Sequence, residues 1–336
     1  MVSSPSNTAF SVLSFIGVIL TSISLPWHLQ SWNTGVCMYM IWTGFGCLIL
    51  FINSIVWKDN VTNWAPVWCD IASRYLIGGS VGIPASSLCI TRRLYYITKL
   101  QSLSQESKEK WREICTDISI GIGFPCVVMI LQYVVQGHRF NIVEEVGCWP
   151  ATVNTVASYF LVFMWPAVIG MITMVYSVLT FRQASIHRRK LKAMLQSSPD
   201  ITTGHYCRLM AACTVEIAFT TPLGVYSIVI NATYQMVPYI SWENIHEDFS
   251  YVDQIPTVVL QSSPSTVLAL ESSRWSYVLC AFVLFVFFGW GRDAREAYGR
   301  TFQTLFRHVG LRSIRSASRN ITARSVSSCV HQVSSD

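Results

Sequence analysis

Seven stretches of this chain run apolar for about 20 residues each, the length that crosses a hydrocarbon core of about 30 Å at 1.5 Å per helical residue. They fall near residues 9–28, 35–57, 71–91, 114–135, 156–180, 209–230 and 275–290, the last being short and free to extend at either end. Such a pattern leaves few choices, because in lipid every backbone N–H and C=O must be satisfied inside its own segment or a closed barrel. Composition points the same way. Of 336 residues, 51% are hydrophobic and 12% charged, where a soluble domain carries about 25% charge. So few charges cannot cover a water-facing surface of this size. The predicted fold class is an all-α membrane protein, a seven-transmembrane helix bundle. The first ten residues lack the positive segment of a cleavable signal, so the first stretch is read as a retained span.

Lys and Arg set the expected orientation. Between spans three and four lie Arg92, Arg93, Lys99, Lys108, Lys110 and Arg112; between five and six lie Arg182, Arg188, Arg189, Lys190, Lys192 and Arg208. The segment after span seven carries further arginines, and the opposite face is acidic, with Glu144, Glu145, Glu243, Glu247, Asp248, Asp253 and Glu271. The amino terminus is therefore expected outside and the carboxyl terminus in the cytoplasm, with the chain a multi-pass plasma-membrane protein. The sequons Asn60-Val-Thr62 and Asn231-Ala-Thr233 then fall outside, as glycosylation candidates. Cys69 and Cys148 also fall at the outer face, where the redox compartment permits a disulfide tethering the second outer loop; two free thiols are the other reading. The chain divides into a seven-span bundle over 1–290, a segment 291–310 and a tail 311–336. In the segment, Ala294, Tyr298, Phe302, Leu305 and Phe306 recur at the spacing of a membrane-surface helix. The tail is Ser- and Arg-rich and expected to be disordered.

Chemistry is sparse within the spans. Asp70 and Arg74 stand four residues apart at the outer end of span three, Asp117 near the inner edge of span four and Glu216 within span six. No HExxH, CxxC or Walker A pattern occurs, and the seventh span has no Lys. Neither an enzyme, a metal site nor a cofactor is expected. A transporter would be expected to show an internal repeat and more polar groups along the bundle. Pro222 follows Glu216 by six residues, which joins a hinge to a buried acid; either a switch or an ordinary kink fits. The Gly78-Gly79-Ser80-Val81-Gly82 run is read as a close-packing surface.

Several stretches then resemble one family, the fungal lipopeptide mating-pheromone receptors of the a-factor-receptor class. They are FINSIVW at 51–57, NWAPVWCDIASRYLIGGSVGIPASSLCITRRLYYI at 63–97, LQYVVQGHRFNIVEEVGCWPAT at 131–152, FMWPAVIG at 163–170, FTTPLGVYS at 219–227 and WENIHEDFSYVDQIP at 242–256. The likeness runs from about residue 10 to about residue 300. The resemblance implies a G-protein-coupled receptor that senses a prenylated, carboxyl-methylated peptide and activates a heterotrimeric G protein to start mating. It implies no nucleic-acid partner. The inner end of span three, Ile90-Thr-Arg-Arg-Leu94, has no acid before its arginines, so an Asp-Arg-Tyr ion lock is not expected to transfer.

A lipidated peptide offers an apolar chain and a polar backbone. The chain partitions into the bilayer by about 0.8 kcal/mol per CH₂, so selectivity should come from the outer face. The candidates there are Asp70, Arg74, His138, Arg139, Glu144, Glu145 and Trp149. Asp70 and Arg74 either meet the peptide or pair with each other across one helical turn. The third outer loop, about 44 residues long, is a lid through Trp242, His246 and Phe249 or a simple shield. On the inner face Arg92, Arg93, Arg188, Arg189, Lys190 and Arg208 orient the spans and are the candidate G-protein contacts.

Overall fold

The computed structural model describes residues 5–30, 33–99, 107–186, 203–233 and 235–289. Seven long helical runs occur among them. Helices α1 (Pro5–Gln30), α2 (Thr34–Val56) and α3 (Pro66–Thr98) come first. Run α4 covers 107–135 and passes through a π-helical stretch, Ser119–Gly123; run α5 covers 156–186 and passes through another, Tyr159–Phe163. Helix α6 is Thr203–Thr233, and α7 is Pro264–Leu284, continued by a π-helical turn over Phe285–Gly289. The last begins at Pro264 rather than near residue 275. Proline without an N–H suits the first turn of a helix, where that donor would be unpaired anyway.

Five of these are long and apolar enough to cross a membrane: Ser6–Gln30, Thr34–Val56, Trp111–Val135, Val156–Ile186 and Pro264–Phe287. Helices α3 and α6 are as long but stand outside that set. For α3 the reason is position. It packs against α2, α4, α5 and α6, so its surface meets protein rather than lipid and carries small and polar residues. Several side chains of α6 lie outside the described residues.

The glycine run on α3 is a seat for two aromatic rings. Trp42 of α2 lies over Gly82, and its indole Nε1 donates to the Gly121 carbonyl of α4 at 2.8 Å. A Cβ on Gly82 would sit 2.4 Å from the Trp42 ring, and one on Gly79 2.4 Å from the Tyr277 hydroxyl. Tyr277 of α7 is buried and donates to the Leu76 carbonyl at 3.3 Å. Small residues here let α2, α3, α4 and α7 interlock through two large side chains.

The all-α expectation takes one correction. Strand β1 (Phe140–Val143) pairs antiparallel with β2 (Gly147–Trp149) and parallel with β3 (Val252–Ile255), giving the order β2-β1-β3 across one end of the bundle. Ile142 stands opposite Cys148 on one side and Gln254 on the other. The hairpin turn takes Glu145 at φ 67° and Gly147 at φ 83°. A side chain at Gly147 would also meet Asn53, whose Cβ lies 2.5 Å from the added atom. Loops laid over a helical bundle bury backbone polar groups, and pairing as a sheet satisfies them.

Candidate functional site

The sheet end is where the outer-face candidates converge. Cys69, near the start of α3, and Cys148, in β2, are joined by a disulfide. Around it Phe140, Ile142, Trp57 and Ala72 are buried together. Asn53 of α2 fixes the hairpin from below, donating to the Cys148 carbonyl at 3.3 Å and accepting from Trp68 Nε1 at 2.9 Å. The Glu145 N–H donates to the Trp57 carbonyl at 2.8 Å.

Asp70 and Arg74 do not pair with each other. The Arg139 guanidinium takes Asp70 side-on, Nε to Oδ1 at 2.9 Å and Nη2 to Oδ2 at 2.6 Å. That bond raises the Arg139 pKa above its ordinary value. Arg74 turns instead to α4, donating to the Met129 carbonyl at 3.1 Å and to the side-chain oxygens of Gln132 and Gln136. Its guanidinium also lies over the Tyr133 ring, 5.5 Å from the centroid.

The loop between α6 and α7 is partly built into this surface. Strand β3 is one tie, and Glu144 supplies two more: its N–H donates to the Ile255 carbonyl at 3.0 Å, and its carboxylate accepts from the Thr257 N–H at 2.7 Å. Trp242 and His246 stack at 3.9 Å and, with Phe249, surround Tyr133. The two ring nitrogens of His246 lie 2.9 Å from the carbonyls of Trp242 and Tyr133. His138 bonds Asn141 and lies edge-on to Tyr251. Trp149 is half-buried against Val143, Val146 and Leu270.

Arg274 was not legible as a site residue. It is buried midway along α7, held by Glu271 through Nε at 2.8 Å and Nη2 at 2.6 Å. Its Nη1 donates to Asn7 of α1 at 3.3 Å and to the Glu145 carbonyl at 3.2 Å, and the group sits 4.5 Å from the Phe10 centroid. One side chain thus joins α1, α7 and the hairpin turn. The available signal was the Glu271–Arg274 spacing of three just before an apolar run; starting the span at 275 hid it.

At the opposite end, Arg92 pairs with Asp117 of α4 at 2.8 Å, and Thr34 of α2 donates to the same carboxylate at 3.0 Å. Arg93 reaches Asn33 at 3.5 Å. The acid missing beside the arginines in sequence is therefore supplied from α4. Arg188, Arg189 and Lys190, the segment 291–310 and the tail 311–336 lie outside the described residues, as do the side chains of Arg208 and Glu216. Pro222, within α6, lines an apolar cleft of about 640 Å³ with Met174, Thr214, Ala218, Thr221, Val225 and Tyr226. Both sequons fall at the sheet end. Asn60 accepts from the Thr62 N–H at 3.2 Å, and the Asn231 carbonyl accepts from Asn154 at 2.8 Å.

A bundle of long apolar helices, closed at one end by a disulfide-tethered sheet, is the build of a helical membrane protein with one end shaped for contact. The chain belongs to the STE3 pheromone A receptor family, whose model matches residues 9–309. It is 44% identical over 91% of its length to the pheromone B alpha 3 receptor of Schizophyllum commune, covering 49% of that protein. It is 32% identical to pheromone receptor 1 of Ustilago hordei, over 83% of this chain and 79% of that one. To the pheromone a factor receptor of Saccharomyces cerevisiae it is 24% identical, over 89% and 62%. The chain spans about half the length of the Schizophyllum receptors it matches.

Proposed function

We propose that this chain is a seven-span G-protein-coupled receptor in the plasma membrane, that it binds a prenylated peptide mating pheromone, and that it activates a heterotrimeric G protein to start the mating response. The observation that carries the reading is the contrast between the bundle's ends in a chain of this family. Three chain segments and a disulfide form one surface at the sheet end, while α3 carries Arg92 and Arg93 toward the other. In this reading all seven helical runs cross the bilayer. The sheet end with Asn60 and Asn231 faces outside and carries the sugars. Lys and Arg gathered at the inner end follow the usual bias and meet anionic lipid.

Pheromone contact belongs to the sheet end: Asp70, Arg74, His138, Arg139, Glu144, Glu145, Trp149, Trp242 and His246. Within that group Glu144, Glu145 and the Asp70–Arg139 pair shape the surface, and Trp242 with His246 forms part of its roof. G-protein contact belongs to the other end, at Arg93, Arg188, Arg189, Lys190 and Arg208, with Arg92 released from Asp117 on activation. Glu216 and Pro222 give α6 an acid and a hinge for that movement. Substituting Glu216→Gln tests this part: unchanged basal and stimulated signalling removes the acid from the switch.

The test of the whole reading is nucleotide exchange on a fungal G protein in membranes holding this chain, with synthetic peptides bearing or lacking the prenyl group. Exchange driven only by certain prenylated peptides is the expected result. Exchange driven by none of them, with the disulfide-linked protein at the surface, overturns it.

A further inference from the structure

Arg74 and Arg139 are two guanidinium groups at the same end of the bundle in different electrostatic situations. Arg139 uses its Nε and Nη2 as a fork on Asp70. Arg74 is half-buried, and no carboxylate among the described residues forms an ion pair with it. Its acceptors are all neutral: Nη1 donates to the Met129 carbonyl and Gln132, and Nη2 to Gln136. An arginine has five N–H groups, so the Nε–H and one N–H of Nη2 are left with no acceptor among the described residues.

Arg92 also has an Nε without an acceptor, but in a different setting. At Arg92 that nitrogen is sealed inside the bundle, whereas at Arg74 it is not. The three bonds that Arg74 does make hold its plane fixed. Gln132 is itself anchored to the Ala151 carbonyl and the Thr152 hydroxyl, at 3.4 and 3.2 Å, and Gln136 to the Arg139 carbonyl at 2.6 Å. Tyr133 lies against the flat face, roofed in turn by Trp242 and His246. A fixed cation, partly withdrawn from water and with no carboxylate in contact, although the charge of Asp70 acts on it from a distance, lowers its energy by receiving an anion. The free pair of N–H groups matches the two oxygens of a carboxylate.

We propose that Arg74 is a carboxylate subsite, receiving an acidic side chain of the bound peptide in the way Arg139 holds Asp70. This rests on the reading of the sheet end as the peptide face. It assigns the two residues of α3 unequal parts: Asp70 is already neutralised and shapes the surface, while Arg74 selects for an acid.

A library of farnesylated peptides of random sequence, panned against the full chain in phosphatidylcholine nanodiscs, tests it without a G protein. The unmodified chain should enrich Asp or Glu about tenfold at a fixed distance from the farnesyl group. Among the peptides each variant still retains, Arg74→Gln should show that preference flattened and Arg74→Glu should show it replaced by Lys or Arg. Each variant is first checked for the intact Cys69–Cys148 bond. No acid preference in the unmodified chain, or one that survives Arg74→Gln, overturns the subsite, as does a complete absence of peptide binding. Anionic lipid added to the discs should leave the preference in place; its abolition would give the fork to a lipid headgroup and overturn the peptide assignment. Acid-selective binding without nucleotide exchange supports the subsite and removes the receptor reading. Exchange without acid preference does the reverse.

Discussion

The two ends of the bundle are closed by different physics. At the sheet end the closure is covalent and backbone-based: a disulfide, two strand ladders, and a buried arginine whose acceptors include the hairpin's own carbonyl. At the other end, among the described residues, α2, α3 and α4 meet through a charge-assisted cluster of Arg92, Asp117 and Thr34. Backbone ladders and disulfides open only with large loss of order, whereas side-chain bonds exchange partners with local motion. One end is thus suited to hold a shape and the other to change it.

The sharpest way to break this contrast is to remove the disulfide. Its bond spans 79 residues of sequence, for which chain entropy gives about 4–5 kcal/mol. Cys148→Ser should therefore show the largest fall in melting temperature in detergent, and a fall smaller than for a variant at the opposite end would erase the distinction. Next comes Arg274→Ala, which takes the guanidinium away from the Glu271 carboxylate and the Glu145 carbonyl and leaves Glu271 with Trp275 Nε1. A loss of about 3 kcal/mol is expected, read from the same melts, with faster proteolysis at the hairpin.

Asp117→Asn sharpens the other side of the comparison. It keeps the shape but removes the charge facing Arg92, at about 1–2 kcal/mol. In the receptor reading it also raises basal nucleotide exchange, which Cys148→Ser should not do. The smallest effect belongs to Asp70→Asn. That ion pair is open to water, with side chains 36% and 41% exposed, so screening holds its contribution under about 1 kcal/mol. A large destabilisation there would show the pair to be more than surface shaping.

The helices were readable because lipid imposes a rule on each segment separately. A run such as Thr34–Val56 states its fate in its own composition. Helix α3 was readable by length and less by apolarity, since its neighbours are protein. The Gly78–Gly82 run announced close packing, but not that Trp42 and Tyr277 fill the space. The partners of polar groups were the hidden part. Asp70 and Arg74 suggest each other at four residues apart, yet Arg139 lies 69 residues from Asp70 and takes it. Asp117 stood in plain view without its partner Arg92, 25 residues away.

What the sequence by itself determined is a membrane protein of long apolar helices, its basic loops and its resemblance to a receptor family. Those follow from local length, hydropathy and residue strings. The tertiary structure decided that residues 140–143 pair with 252–255, that Arg74 faces α4 without an acid, and that Arg92 meets Asp117. Each of these joins segments far apart in the chain, and such contacts depend on where helices place their ends in space rather than on any local pattern.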